Sequence, residues 1–201
     1  MPPAENVHWL FAGGLMLLGL CLLARAIVGV EIWERRAWRA YVVPAVLLGI
    51  GIGLWPVTVF FTSSAIHMLA HGVWAELVTL AGLAQLGLLA GRLESRLWNL
   101  SVPLAVAVSG AAFVLHEQNP WLFMRSAFLH HLIGWTLIVG SLIPLVLVYR
   151  PRSVAAGMGF GILAIAVSVM LFSDRDVAPI FGHFSPLAGQ SQPAGSFEAG
   201  P

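Results

Sequence analysis

The sequence predicts an all-α fold, a polytopic membrane bundle of about six transmembrane helices. Three observations predict it. Of 201 residues, 59% are hydrophobic and only 9% charged; mean hydropathy is +0.88; and the apolar residues form long unbroken runs. A soluble domain carries roughly 25% charged residues to cover its core, so part of this surface is made for lipid. A transmembrane β-barrel would alternate apolar and polar residues, and these runs do not.

Six runs, at approximately 8–30, 40–61, 66–91, 97–116, 127–149 and 153–172, can each cross about 30 Å of hydrocarbon at about 1.5 Å per residue. The first superficially offers a signal-peptidase site at Ala24-Arg25-Ala26. No Arg or Lys precedes it, however, and Glu5 makes its start acidic, so it reads as a retained helix. The lone Cys21 packs within it as a small hydrophobe. Gly49, Gly51 and Gly53 in the second run, and Gly157, Gly159 and Gly161 in the sixth, give small-xxx-small spacings that let helix backbones approach closely. In the third run, Glu76 and Gln85 are expected to hydrogen-bond to neighbouring helices. Short connections make successive helices antiparallel neighbours. Residues 1–172 thus form the transmembrane domain. Residues 173–201, rich in Pro, Gly, Ser and Gln, are expected to be a disordered tail.

All ten basic residues are arginine. Arg35, Arg36 and Arg39 lie in the first connection, Arg92 and Arg96 in the third, and Arg150 and Arg152 in the fifth, with Arg25 able to snorkel to the same side. Only Arg125 and Arg175 fall opposite. Cytoplasmic connections collect positive charge, so the expected topology is N-out, C-out. The net charge of +1 gives no sign of nucleic-acid binding.

That topology puts every histidine toward the outer side. His67 and His71 open the third helix at i and i+4, on one face. His116 ends the fourth, and His130 and His131 begin the fifth. Imidazole is the commonest protein metal ligand and suits copper, zinc and iron, so these five are the expected metal ligands. His130 and His131 point about 100° apart on a helix, so one of the two is expected to face the ion. Glu117, Glu76, Met68 and Arg125 are candidates for a supporting role, with an Arg125–Glu117 ion pair expected and Met68 or Met124 able to favour Cu(I). His8 and His183 read as headgroup-level markers.

Ile66-His67-Met68-Leu69-Ala70-His71 resembles the HMxxH stretch of bacterial copper-handling polytopic membrane proteins: the assembly family for caa3-type oxidases and, more loosely, the copper-resistance membrane components. The resemblance covers six of the 201 residues. It implies copper handling at the outer face of a bacterial cytoplasmic membrane, through His67, Met68 and His71, with a periplasmic metal carrier or a respiratory complex as partner. Three alternatives stand beside it. A single-haem b electron carrier would take axial histidines from the third and fifth helices. A metal-dependent membrane oxidase would be expected to show denser histidine patterns. An accessory subunit would bind no metal.

Overall fold

Lipid offers no partners to backbone N–H and C=O groups, so each apolar run must satisfy them within its own helix. A computed structural model describes residues 4–61, 65–115 and 124–174, and among these there is helix and no strand. The helices are α1 (Ala4–Val28), α2 (Val30–Glu34), α3 (Val42–Phe61), α4 (Ala65–Leu89), α5 (Ser101–Leu115), α6 (Met124–Gly140), α7 (Leu142–Tyr149) and α8 (Val154–Ser173). Six segments are long and apolar enough to cross a membrane: Val7–Val28, Ala37–Thr58, His71–Leu89, Arg96–Leu115, Arg125–Tyr149 and Val154–Ser173. They fall on the six expected runs. Short 3-10 turns at Ala37–Tyr41 and Arg96–Leu100 lead into α3 and α5.

Local chemistry sets the boundaries. Gly29 and Gly91 follow α1 and α4 with φ of 91° and 65°, positive values that cost glycine little and other residues much, so the chain turns at both. The Ser153 hydroxyl caps α8 by accepting from the Ala156 N–H at 3.3 Å. The fifth span is α6 and α7 in line. At their junction the Ser141 hydroxyl donates to the Ile138 carbonyl at 2.6 Å, and Pro144 in the first turn of α7 supplies no N–H to the ladder.

The spans close into a ring: α1 packs on α3, α3 on α4, α4 on α5, α5 on α6, α6 and α7 on α8, and α8 back on α1. The α1–α8 and α3–α4 seams are the most extensive, and α1–α3 is the loosest between neighbours. Glycines set the close approaches. A Cβ on Gly110 of α5 would lie 2.6 Å from the Gly134 carbonyl oxygen of α6, and one on Gly134 would lie 2.8 Å from the Gly110 oxygen. Gly19 and Gly161 make the same reciprocal contact between α1 and α8. Of the expected glycine sets, Gly51 abuts Thr79 and Gly161 abuts α1, whereas Gly49 faces open space. Gln85 bridges α4 to the Ser101 hydroxyl at 3.4 Å.

The two ends of the ring differ in chemistry. At one, Arg25 pairs with Glu34 at 3.0 Å and Arg152 approaches Glu31 at 3.7 Å, so the first and fifth connections share an end. These pairs are exposed and add little stability. The start of α1 and the end of α8 therefore meet at the opposite end, the histidine end.

Candidate metal centre

Asp174 sits where a helix least favours an anion. It is the C-cap of α8, against the negative pole of the helix dipole, and it is 1% exposed. A buried carboxylate there requires compensation, and α1 and α6 supply it. His8 brings Nδ1 to 3.2 Å from Asp174 Oδ2, and His130 brings Nδ1 to 3.6 Å from the same oxygen. The Ser126 hydroxyl donates to that oxygen too, at 3.1 Å. Burial raises the carboxyl's pKa, but the His8 contact, the charge of His8 and His130 and the Ser126 hydroxyl outweigh it and hold Asp174 below its ordinary value.

Oδ2 is thus crowded with partners while Oδ1, equally buried, accepts no hydrogen bond among the described residues. His8 Nδ1 is close enough for an ion pair, yet it makes no aligned hydrogen bond among the described residues either. His130 Nδ1 lies 2.8 Å from the Ser126 carbonyl oxygen. A carbonyl only accepts, so Nδ1 carries the hydrogen and Nε2 carries the lone pair in the neutral ring. In that tautomer a metal would be held through Nε2, not through the nitrogen that faces Asp174 Oδ2. The His8 and His130 rings meet edge to face, 5.4 Å between centroids.

Among the described residues, His8, His130 and Asp174 form the group whose ligand atoms all lie within 4.8 Å of one another. A tetrahedral ion with bonds of about 2.0–2.1 Å needs donors roughly 3.4 Å apart. Side-chain adjustments on the order of 1 Å would close the group on an ion of that kind.

Below the triad, a cavity of about 160 Å³ runs along the ring axis. His8, His71, Trp74, Phe113 and His130 line its upper end, and its walls reach Val43 and Val102 near the arginine end. Trp74 packs on His71 and Phe113, and Phe113 on His130, with centroids 6.2, 5.4 and 5.2 Å apart. The Trp74 N–H is committed to the Ser109 hydroxyl at 2.8 Å.

The expected ligands are placed as follows. His71 and His130 are buried and line the same cavity, but His71 does not join the triad. His131 is exposed, turned about 100° from His130 on α6. His67 and Met68 lie in the first turn of α4, and their side chains, with that of Met124, fall outside the described set; His116, Glu117 and His183 lie outside the described residues. Arg125 is exposed and donates to the Ser173 carbonyl at 3.3 Å, one of the carbonyls left open at a helix end. Its expected pairing with Glu117 lies outside the described residues.

Glu76 corrects an expectation. It is exposed on α4 and has no hydrogen bond to a neighbouring helix among the described residues. Five residues beyond His71, it is turned about 140° from it, toward the outside of the ring. Both Glu76→Gln and Glu76→Leu should therefore leave stability within about 0.5 kcal/mol of the parent, measured by thermal unfolding in detergent.

The sequence places His8 at the headgroup level and Asp174 in the tail. α8 instead runs through Ser173, and Asp174 folds into the bundle. A readable signal existed: an aspartate directly after a long apolar helix opposes the dipole and calls for a partner.

No family model matches the chain, and no characterised protein or solved structure proves similar to it.

Proposed function

We propose that this chain is a multi-pass protein of a bacterial cytoplasmic membrane that binds a transition-metal ion through His8, His130 and Asp174 at its outer face. The observation that carries this reading is Asp174 Oδ1, a buried carboxylate oxygen that has no hydrogen-bond partner among the described residues and lies beside two imidazoles. Two imidazoles and a carboxylate suit Cu(II), Zn(II) or Fe(II) better than Cu(I), which favours sulfur. Copper remains the proposed ion on the HMxxH resemblance, with the role of holding, passing on or redox-cycling it for a periplasmic carrier or a respiratory complex. A second reading is a single haem b between α4 and α6, with His71 and His130 lining one cavity; at about 160 Å³ that cavity has room for one benzene-sized ring, so the helices would have to part to admit a porphyrin.

Elemental analysis and an absorption spectrum of the purified full chain test both. One copper or zinc per chain, reduced at least tenfold in Asp174→Asn, is the expected result. A Soret band lost in His71→Ala would favour haem. Metal content unchanged by Asp174→Asn would sink the triad. The outward orientation rests on arginine placement; reporter fusions at the C-terminal tail and in the Arg92–Arg96 connection should give opposite readouts, the tail reading outside.

A further inference from the structure

We infer that the first connection, through Arg35, Arg36 and Arg39, binds the phosphodiester headgroup of an anionic phospholipid. This site lies at the opposite end of the ring from the metal centre and does not rest on it. The chain turns at Gly29, whose φ is 91°, so α2 and the 3-10 turn Ala37–Tyr41 do not prolong α1. Within that segment the Arg39 N–H donates to the Arg36 carbonyl at 3.0 Å, closing a turn whose ends lie within about 7 Å of each other. The Arg39 guanidinium sits over the Trp33 ring, 4.7 Å from its centroid, with the Trp38 centroid 5.7 Å away. The indoles hold the charge in place and leave the guanidinium N–H groups without an acceptor among the described residues.

Carboxylates do not neutralise this cluster. Glu34 pairs with Arg25 and Glu31 approaches Arg152, while Glu94, in the third connection, makes no ion pair among the described residues. Arg35, Arg36 and the half-buried Arg39 are thus left without a counter-anion among those residues. A guanidinium fork takes two phosphate oxygens at once, and at this level the phosphates are those of lipid. The level is marked by the segment's own apolar side chains. Trp38 is 61% exposed and Ile32 52%, and an exposed indole at the end of a span settles among the headgroups. A soluble anion gains nothing from these side chains, whereas a lipid lays its glycerol and first acyl carbons along them. Three guanidiniums also repel the ammonium of a zwitterionic lipid, so a headgroup with net negative charge is preferred.

Native mass spectrometry of the full chain in detergent tests the site, with dioleoyl phosphatidylglycerol, dioleoyl phosphatidylcholine and soluble glycerophosphoglycerol as probes. One phosphatidylglycerol should bind per chain, about tenfold more tightly than phosphatidylcholine, with the soluble headgroup weaker still. Arg35→Gln/Arg39→Gln should bring phosphatidylglycerol down to the phosphatidylcholine level. Arg96→Gln/Arg150→Gln removes the same charge from the third and fifth connections and should leave the lipid bound. Equal affinity for the two lipids overturns the inference. So does an equal loss in both double variants, the mark of diffuse charge without a site. Glycerophosphoglycerol bound as tightly as the lipid overturns it in favour of a soluble anion. Where Arg35→Gln/Arg39→Gln does not fold, a phosphatidylglycerol with a diazirine beside its headgroup decides on the unmodified chain. Labelling within residues 30–41 supports the site, and labelling confined to other segments rejects it.

Discussion

Gly110→Ala should destabilise the bundle by about 1–3 kcal/mol, as overpacking does, and Gly110→Leu should prevent α5 and α6 from docking. The new Cβ would meet the Gly134 carbonyl oxygen at 2.6 Å and the Ile138 nitrogen at 2.8 Å. Both are backbone atoms, so no rotamer change relieves the clash and the helices must separate. Separation would also pull Phe113 from His130, whose rings now lie 5.2 Å apart, so metal binding should weaken with stability. Gly13→Ala and Gly49→Ala supply the contrast, since a Cβ there meets nothing within 4 Å. Alanine should stabilise these helical positions by roughly 0.5–1 kcal/mol. Thermal or denaturant unfolding in detergent gives both signs. A neutral Gly110→Ala would refute the close packing of α5 and α6.

Asp174→Leu should cost about 1–3 kcal/mol, the usual range when buried polar partners are left unsatisfied, and should abolish stoichiometric metal binding. Asp174→Asn keeps the shape and one acceptor while removing the charge, so it should lose metal with a smaller loss of stability. The pH dependence has a definite sign. Asp174 is held below its ordinary value of 3.8 in the folded chain, so its contribution is fully present above that value and is lost as pH falls through the lower folded value. The stability gap between the parent and Asp174→Asn should be level in its carboxylate contribution above about pH 5 and shrink below about pH 4. A gap that grew on acidification would contradict the ionised, histidine-paired carboxylate.

The spans were legible because lipid imposes one strong rule: an apolar run about 20 residues long must form a helix. Side-chain direction was less legible. The i,i+4 spacing of His67 and His71 marks a shared face without saying whether that face meets the cavity. Of the adjacent pair His130 and His131, the sequence predicts that one turns inward, and the ring geometry decides which. Asp174 escaped because composition was averaged over a tail rich in Pro and Gly, where one aspartate carries no weight. His8 escaped because a histidine at a span's start resembles any interfacial side chain. Only the knowledge that α1 lies against α8 brings His8 and Asp174 together, and pairings between helices far apart in sequence leave little trace in local pattern.

The extensive α1–α8 seam has a consequence for how the protein comes to exist. α8 emerges from the ribosome about 150 residues after α1; at some 5–20 residues per second, α1 waits many seconds in the membrane for its main neighbour. During that interval the ring is an open horseshoe. The Gly19 face of α1 has no Gly161 to meet, and His8 has no carboxylate beside it. Insertion of the last helix therefore closes the wall and completes the triad in one event. A nascent chain halted before α8 would present α1 edge-on to other membrane segments, a natural target for quality-control proteases that survey unfinished bundles.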